Sequence, residues 1–95
     1  MGKAYSIALN PLVVTHDLAK LDQAFLKRLR NSLEVKLTSR PDVYGKPLRS
    51  PLHGYWTLRI ADYRVVYHIK KKVVYIDIIE HRSVVYEAAR ARLGL

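Results

Sequence analysis

Between Gly54 and Tyr67 the chain alternates large apolar and polar residues, breaks at Ala61-Asp62, and then alternates again. Successive side chains of a strand point to opposite faces, so period two on both sides of a short polar break specifies a β-hairpin. Trp56, Leu58 and Ile60 then share one face, with Tyr55, Thr57 and Arg59 on the other. Beyond the break, Tyr63, Val65, Tyr67 and Ile69 oppose Arg64, Val66 and His68. A loop centred between Ala61 and Asp62 pairs Ile60 with Tyr63, Leu58 with Val65 and Trp56 with Tyr67. This register gathers the bulky residues, and a slip of one position would turn them all to the other face. It also sets Arg59 directly opposite Arg64. Like charges opposed across a ladder destabilise a sheet. Either the two guanidinium groups turn apart into solvent, or an anion sits between them.

Ahead of the hairpin, Lys3 to Leu9 places Tyr5, Ile7 and Leu9 at alternate positions and predicts a strand that Asn10-Pro11 ends. From about Leu12 the period becomes helical. Leu18, Leu21, Phe25, Leu29 and Leu33 recur at spacings of three and four and read as core. Asp22 fits the N-cap of a second helix, giving an αα-hairpin. Proline disfavours helical geometry in the residue before it, so Ser39-Arg40-Pro41-Asp42 ends that helix. The stretch from Pro41 to Gly54, with three prolines, two glycines, Lys46 and Arg49, predicts a long connection pinned by Leu48 and Leu52.

Lys70-Lys71-Lys72 predicts a turn, solvated or in contact with a phosphate backbone, and Val73 to Ile79 a further strand. Aligning Val74, Ile76 and Ile78 with the apolar face puts Asp77 opposite Arg64, where it would orient that guanidinium. Ser83 fits the N-cap of a C-terminal helix over Val84 to Arg92. The order is therefore strand, helix, helix, strand, strand, strand, helix. Two helices cover the apolar sheet face, and the face lined with Arg and Tyr is left open to a partner.

Seventeen Lys and Arg against eight Asp and Glu give a net charge of +9 and a pI near 10.0. The excess is uneven, with ten basic and four acidic residues in 46–95. Such a basic chain suits a polyanion or an acidic protein partner. At 95 residues and 49% hydrophobic composition, one domain over 1–95 is expected. The absence of cysteine excludes disulfides and thiolate zinc sites. No apolar run has the length of a membrane span and the N-terminus has no secretory signal pattern. A cytoplasmic protein with no membrane partner is the expectation.

Three segments carry a family resemblance over essentially the whole chain. They are Gly45-Lys46-Pro47-Leu48 with Gly54, the stretch Leu58-Arg59-Ile60-Ala61-Asp62-Tyr63-Arg64-Val65-Val66-Tyr67, and His81-Arg82 followed by Tyr86. The chain resembles the RelE/ParE superfamily of toxins from prokaryotic toxin–antitoxin systems, with Ala61 where the family commonly has glycine. The resemblance implies an α+β fold, β-α-α-β-β-β-α, with a predominantly antiparallel sheet and two helices on one face. It also implies an acidic cognate antitoxin as partner. In RelE-like members the implied activity is cleavage of messenger RNA at the ribosome without metal or cofactor, the ribose 2′-oxygen attacking the adjacent phosphate. In ParE-like members the same fold inhibits DNA gyrase.

By the same resemblance, Arg64 matches the arginine at the scissile phosphate, Arg82 a second basic residue, and Tyr86 a tyrosine that stacks on or orients the nucleotide. Arg59 matches a basic strand position. Lys46, Arg49, Lys70, Lys71 and Lys72 are further RNA-binding candidates. Tyr55 and Thr57 stand where RelE has lysines, so His81, beside Arg82 and with an ordinary pKa near neutrality, is the substitute for proton transfer. His53 and Lys46 are weaker candidates, and His16 and His68 read as structural. Missing lysines favour the gyrase inhibitor, while Arg64, Arg82 and Tyr86 favour the ribonuclease. A third reading is an inactive relative kept as a DNA- or antitoxin-binding module.

Overall fold

The computed structural model describes residues 4–95. Lys3, where the first strand is expected to begin, lies outside the described residues. Strand β1 (Ser6–Leu9) leads into a wide π-helical turn (Val13–Asp17) and a 3₁₀ turn (Leu18–Lys20). Helix α1 (Gln23–Ser32) follows and continues through a second π-helical turn (Leu33–Leu37). The remaining elements are α2 (Pro41–Tyr44), β2 (Lys46–Pro47), β3 (Trp56–Ile60), β4 (Tyr63–Lys70), β5 (Val73–His81) and α3 (Val85–Leu93). The sheet runs β1-β5-β4-β3-β2, with only the β1–β5 pair parallel. The fold is α+β with a largely antiparallel sheet, as expected, and gains the short edge strand β2.

The hairpin has the register its periodicity requires. Trp56 faces Tyr67, Leu58 faces Val65, Arg59 faces Arg64 and Ile60 faces Tyr63. Two residues close it, and Ala61 takes a left-handed backbone at φ 54°, which costs a residue with a Cβ roughly 1–2 kcal/mol. Glycine, the family's usual residue here, would be free of that strain.

Helix α1 starts where expected, because Asp22 Oδ1 accepts the Phe25 N–H at 2.8 Å. Its apolar stripe buries Leu29, and Leu33 and Leu37 continue it, packed with Val13 against Leu58, Ile60, Val65, Tyr67, Val74, Ile76 and Ile79. Leu18, Leu21 and Phe25 lie at the margin of this core. Pro41 does end the preceding helix, but it also opens α2. Proline suits a first helical position, since its ring presets φ and its missing N–H would have no partner there. Gly45 follows because the Tyr67 hydroxyl reaches past it to donate to the Pro41 carbonyl at 2.6 Å. A Cβ at residue 45 would overlap that hydroxyl.

Two expectations fail on β5, for one reason. Val66 pairs with Ile78 but Tyr67 with Ile76, so Asp77 is an extra residue that bulges the strand. Alternation resumes in opposite phase, which sends Ile79 to the first face and Ile78 to the second. Arg64 consequently faces Glu80, not Asp77. The Glu80 carboxylate is taken by Lys20 at 2.6 Å, and that of Asp77 by His68 Nδ1 at 2.7 Å. Among the described residues no carboxylate pairs with Arg64.

The second sheet face is also not left open. Val66 and Ile78 make a small core there with Val85 and Ala89 of α3 and with Leu52, and Leu48 and Tyr55 flank it. The connection is thus pinned by Leu48 and Leu52 as the sequence predicts, but to this second core. Ser83 is not the cap of α3. Val84 holds that position without a side-chain hydrogen bond, and Ser83 is turned toward His81.

Candidate functional site

At one end of the sheet, β4 begins, β5 ends and α3 takes its first turn. Arg64 is the second residue of β4, His81 the last of β5 and Tyr86 the second of α3. Arg82 and Ser83 connect the last two. These five residues line an open depression of about 430 Å³. Arg64, His81, Arg82 and Tyr86, candidates from separate parts of the sequence, thus meet in one place.

The two-residue turn orients both arginines. Arg64 Nη1 donates to the carbonyls of Ala61 and Tyr63 at 3.1 and 3.0 Å. Among the described residues no hydrogen-bond partner takes its Nε or Nη2. The Arg82 N–H donates to the Asp62 carbonyl at 2.8 Å, and its Nε lies 3.7 Å from Asp62 Oδ1. Arg59 is exposed beside Arg64, so the like-charge pair required by the hairpin is present.

His81 is set from two sides. Its ring stands edge-on to Tyr63 at 5.6 Å, and Tyr63 in turn packs on Phe25 of α1 at 5.1 Å. Its Nδ1 accepts the Ser83 N–H at 3.2 Å and lies 2.8 Å from Ser83 Oγ. An N–H can only donate, so Nδ1 holds the lone pair and the ring proton of the neutral imidazole is assigned to Nε2. Among the described residues no hydrogen-bond partner takes Nε2.

Other candidates stay outside. Lys70, Lys71 and Lys72 lie at the far end of β4, six residues or about 20 Å from Arg64 at strand rise, and Lys72 Nζ sits 4.8 Å above the Tyr5 ring. Lys46, opposite Thr57 on β2, shares the sheet face of Arg59 and Arg64 without lining the depression. Arg49 and His53 are exposed in the connection beyond it. His16 binds Asp17 at 3.1 Å, and His68 binds Asp77 and stacks on Tyr75 at 5.0 Å.

Tyr55 and Thr57 supply no proton-transfer group. Tyr55 packs on the second core and edge-on to His68. The Thr57 hydroxyl is buried and has no partner among the described residues.

Sequence reasoning missed Asp62 and the contact of Ser83 with His81. A charged residue in the hairpin turn and a serine two places after the histidine were the available signals. It also missed Asp17, whose buried carboxylate accepts the Ile79 N–H at 2.9 Å and a two-pronged bond from Arg92 at 2.8 and 2.9 Å. Burial alone would raise this carboxyl, but the bonds from Arg92, Ile79 and His16 outweigh it and hold it below the ordinary 3.8. These partners are 75 residues apart in the chain, and nothing local announces them.

Residues 8–86 match the family of ParE toxins of type II toxin–antitoxin systems, parDE. Among solved structures, the RelBE2 toxin–antitoxin complex from Mycobacterium tuberculosis contains a chain 30% identical, with a TM-score of 0.77 over 83% of this chain and 99% of that one. Free E. coli toxin RelE, with two arginines replaced by alanine, is 24% identical at a TM-score of 0.71, over 94% and 97% of the two chains. E. coli YafQ is 20% identical at 0.56, over 86% and 98%. The last two show likeness of fold alone. No curated protein matches the sequence.

Proposed function

The chain belongs to the ParE toxin family of type II toxin–antitoxin systems, within the RelE/ParE superfamily, and on that premise we propose that it is an endoribonuclease acting on messenger RNA at the ribosome. The observation that carries this reading is the depression itself. Two guanidinium groups, an imidazole and a phenol line it, and among the described residues no carboxylate does, that of Asp62 meeting Arg82 beside it at 3.7 Å.

In the proposed reaction the ribose 2′-oxygen attacks the adjacent phosphorus and the bond to the 5′-oxygen breaks. The products are a 2′,3′-cyclic phosphate and a 5′-hydroxyl. Charge builds on the phosphoryl oxygens in the transition state, where fixed guanidinium donors act most strongly. Arg64, held by neutral carbonyls with Nε and Nη2 untaken among the described residues, stabilises that charge, and Arg82 shares it. The 2′-hydroxyl gives up its proton to water as it attacks. His81, in its protonated form, gives its Nε2 proton to the leaving 5′-oxygen and is left as the neutral ring. Tyr86, exposed at the rim, stacks on the nucleotide. Arg59 and Lys46 extend the positive face along the RNA.

The natural partner in this reading is a cognate antitoxin with an acidic segment over the arginines. An apolar groove of about 530 Å³ between β1 and α1, with Leu9 and Val14 exposed along it, offers further contact area. The second reading, gyrase inhibition without cleavage, is favoured by Tyr55 and Thr57, which stand half-buried where RelE has lysines. Pulse labelling after induction separates the two. The ribonuclease stops methionine incorporation while thymidine incorporation continues; the reverse order replaces it with the gyrase reading.

A further inference from the structure

The turn between β3 and β4 holds the two arginines in different ways. Arg64 is tied by carbonyl oxygens, which are neutral and need not move when an anion arrives. The Arg82 side chain is met by the carboxylate of Asp62 at 3.7 Å, with the two side chains 63% and 72% exposed. Its backbone is fixed separately, through the Arg82 N–H and the Asp62 carbonyl. So a charged group sits against one arginine of the depression, weakly enough to be exchanged, while the main chain beneath stays in place.

We propose that Asp62 is a positioning residue whose carboxylate stands in for the substrate phosphate, holding Arg82 over the depression until a phosphodiester displaces it. The inference deepens the ribonuclease reading and rests on it for the identity of the natural anion. Exposed ion pairs at such separations are weak. A phosphate can instead take paired, charge-assisted hydrogen bonds from the guanidinium fork, which are stronger. The exchange therefore runs toward the phosphate, and Asp62 sets how much phosphate is needed. Arg82 waits oriented, and casual anions meet a resident competitor.

The test titrates inorganic phosphate into the full chain and follows the Arg82 and Arg64 Nε–H resonances by NMR. Asp62→Asn keeps the carbonyl that bonds the Arg82 N–H and removes only the charge. Asp42→Asn, at an exposed carboxylate of α2 that is 3.9 Å from Arg40, is the control for net charge. The expected result is that Asp62→Asn lowers the half-saturating phosphate at Arg82 about two- to fivefold, the range one exposed ion pair supplies. Asp42→Asn leaves it near the wild-type value. In an Arg82→Ala background, read at Arg64, the gain from Asp62→Asn disappears.

Equal effects of the two asparagine variants, a gain that survives loss of Arg82, or no phosphate response at Arg82 in any variant would each overturn the inference. RNA cleavage, measured beside it, keeps the two proposals apart. Phosphate control by Asp62 without RNA cleavage removes the ribonuclease reading alone. Cleavage with indistinguishable asparagine variants removes the Asp62 inference alone.

Discussion

Arg64 is held by the Ala61 and Tyr63 carbonyls and by no carboxylate, and this decides what its removal does. The sequence set Asp77 opposite Arg64 to orient it, and had the two formed a buried ion pair, Arg64→Ala would have left an unpaired buried charge. The bulge moved Asp77 to His68, so that cost is absent. Arg64→Ala, at a half-buried position whose guanidinium donates to two carbonyls, is expected to lower stability by about 1 kcal/mol, with relief of the Arg59 contact acting in its favour. A thermal melt beside wild type checks this. Thr57 gives the opposite case, a residue whose hydroxyl works against the fold. An unpaired buried hydroxyl costs about 1–3 kcal/mol, so Thr57→Val should raise stability by about 1 kcal/mol in urea unfolding and leave toxicity intact. Lower stability would mean that the hydroxyl has a partner in solution.

The elements differ in how openly the sequence announces them. The hairpin was legible to the residue, because each strand alternates up to the break at Ala61-Asp62 and one register puts Trp56, Leu58 and Val65 on the same face. Asp22 announced α1 for an equally local reason, a side chain that accepts from its own third neighbour. Strand β5 was legible as a strand but not in phase, since period two carries no mark of an extra residue. Strand β2, two residues long, has no periodicity to read. The packing of α3 on the second face rests on Val85 and Ala89, a stripe too short to stand out among its arginines and alanines. Gly45 shows how close approach hides in sequence, since its need is set by Tyr67, 22 positions on. Gly45→Ala should cost about 1–3 kcal/mol through overpacking. Measured against Tyr67→Phe alone, part of that loss should be recovered in the double variant, where the overlapping hydroxyl is gone and only the ring carbon, 2.8 Å from the added Cβ, remains close. Equal losses with and without the hydroxyl would place the strain elsewhere.

Across the whole molecule, the helical layer on one face and α3 on the other are joined around the edge of β5 by Asp17 and Arg92. Beyond Leu9, the last β1 residue in the ladder, that edge has no strand partner, and Asp17 takes the Ile79 N–H instead. Side chains 0% and 13% exposed make this a buried pair, and removing one partner of such a pair typically costs about 3–5 kcal/mol. Arg92→Ala should lose about that much at neutral pH. The Asp17 carboxyl is held below 3.8 in the fold, so its contribution is present above that value and fades as pH falls through the folded pKa. The gap between wild type and Arg92→Ala should therefore narrow below about pH 4. Melts at pH 7 and pH 3 check the sign, and a gap that widens in acid would contradict it.

The site belongs to this largest scale too. Its residue types were legible one by one, through the stretch around Arg64 and the His81-Arg82 pair with Tyr86. Their meeting, and the exclusion of Lys70 to Lys72, followed only from where β4, β5 and α3 end. The most direct measurement is messenger RNA cleavage in a cell-free translation reaction, with wild type and Arg64→Ala matched by their melts. Wild type should cut within the translated region, and the folded variant should cut about 10²–10³-fold more slowly, the usual loss for one transition-state donor. A folded Arg64→Ala protein that cuts at the wild-type rate would contradict the assignment of this depression as the active site.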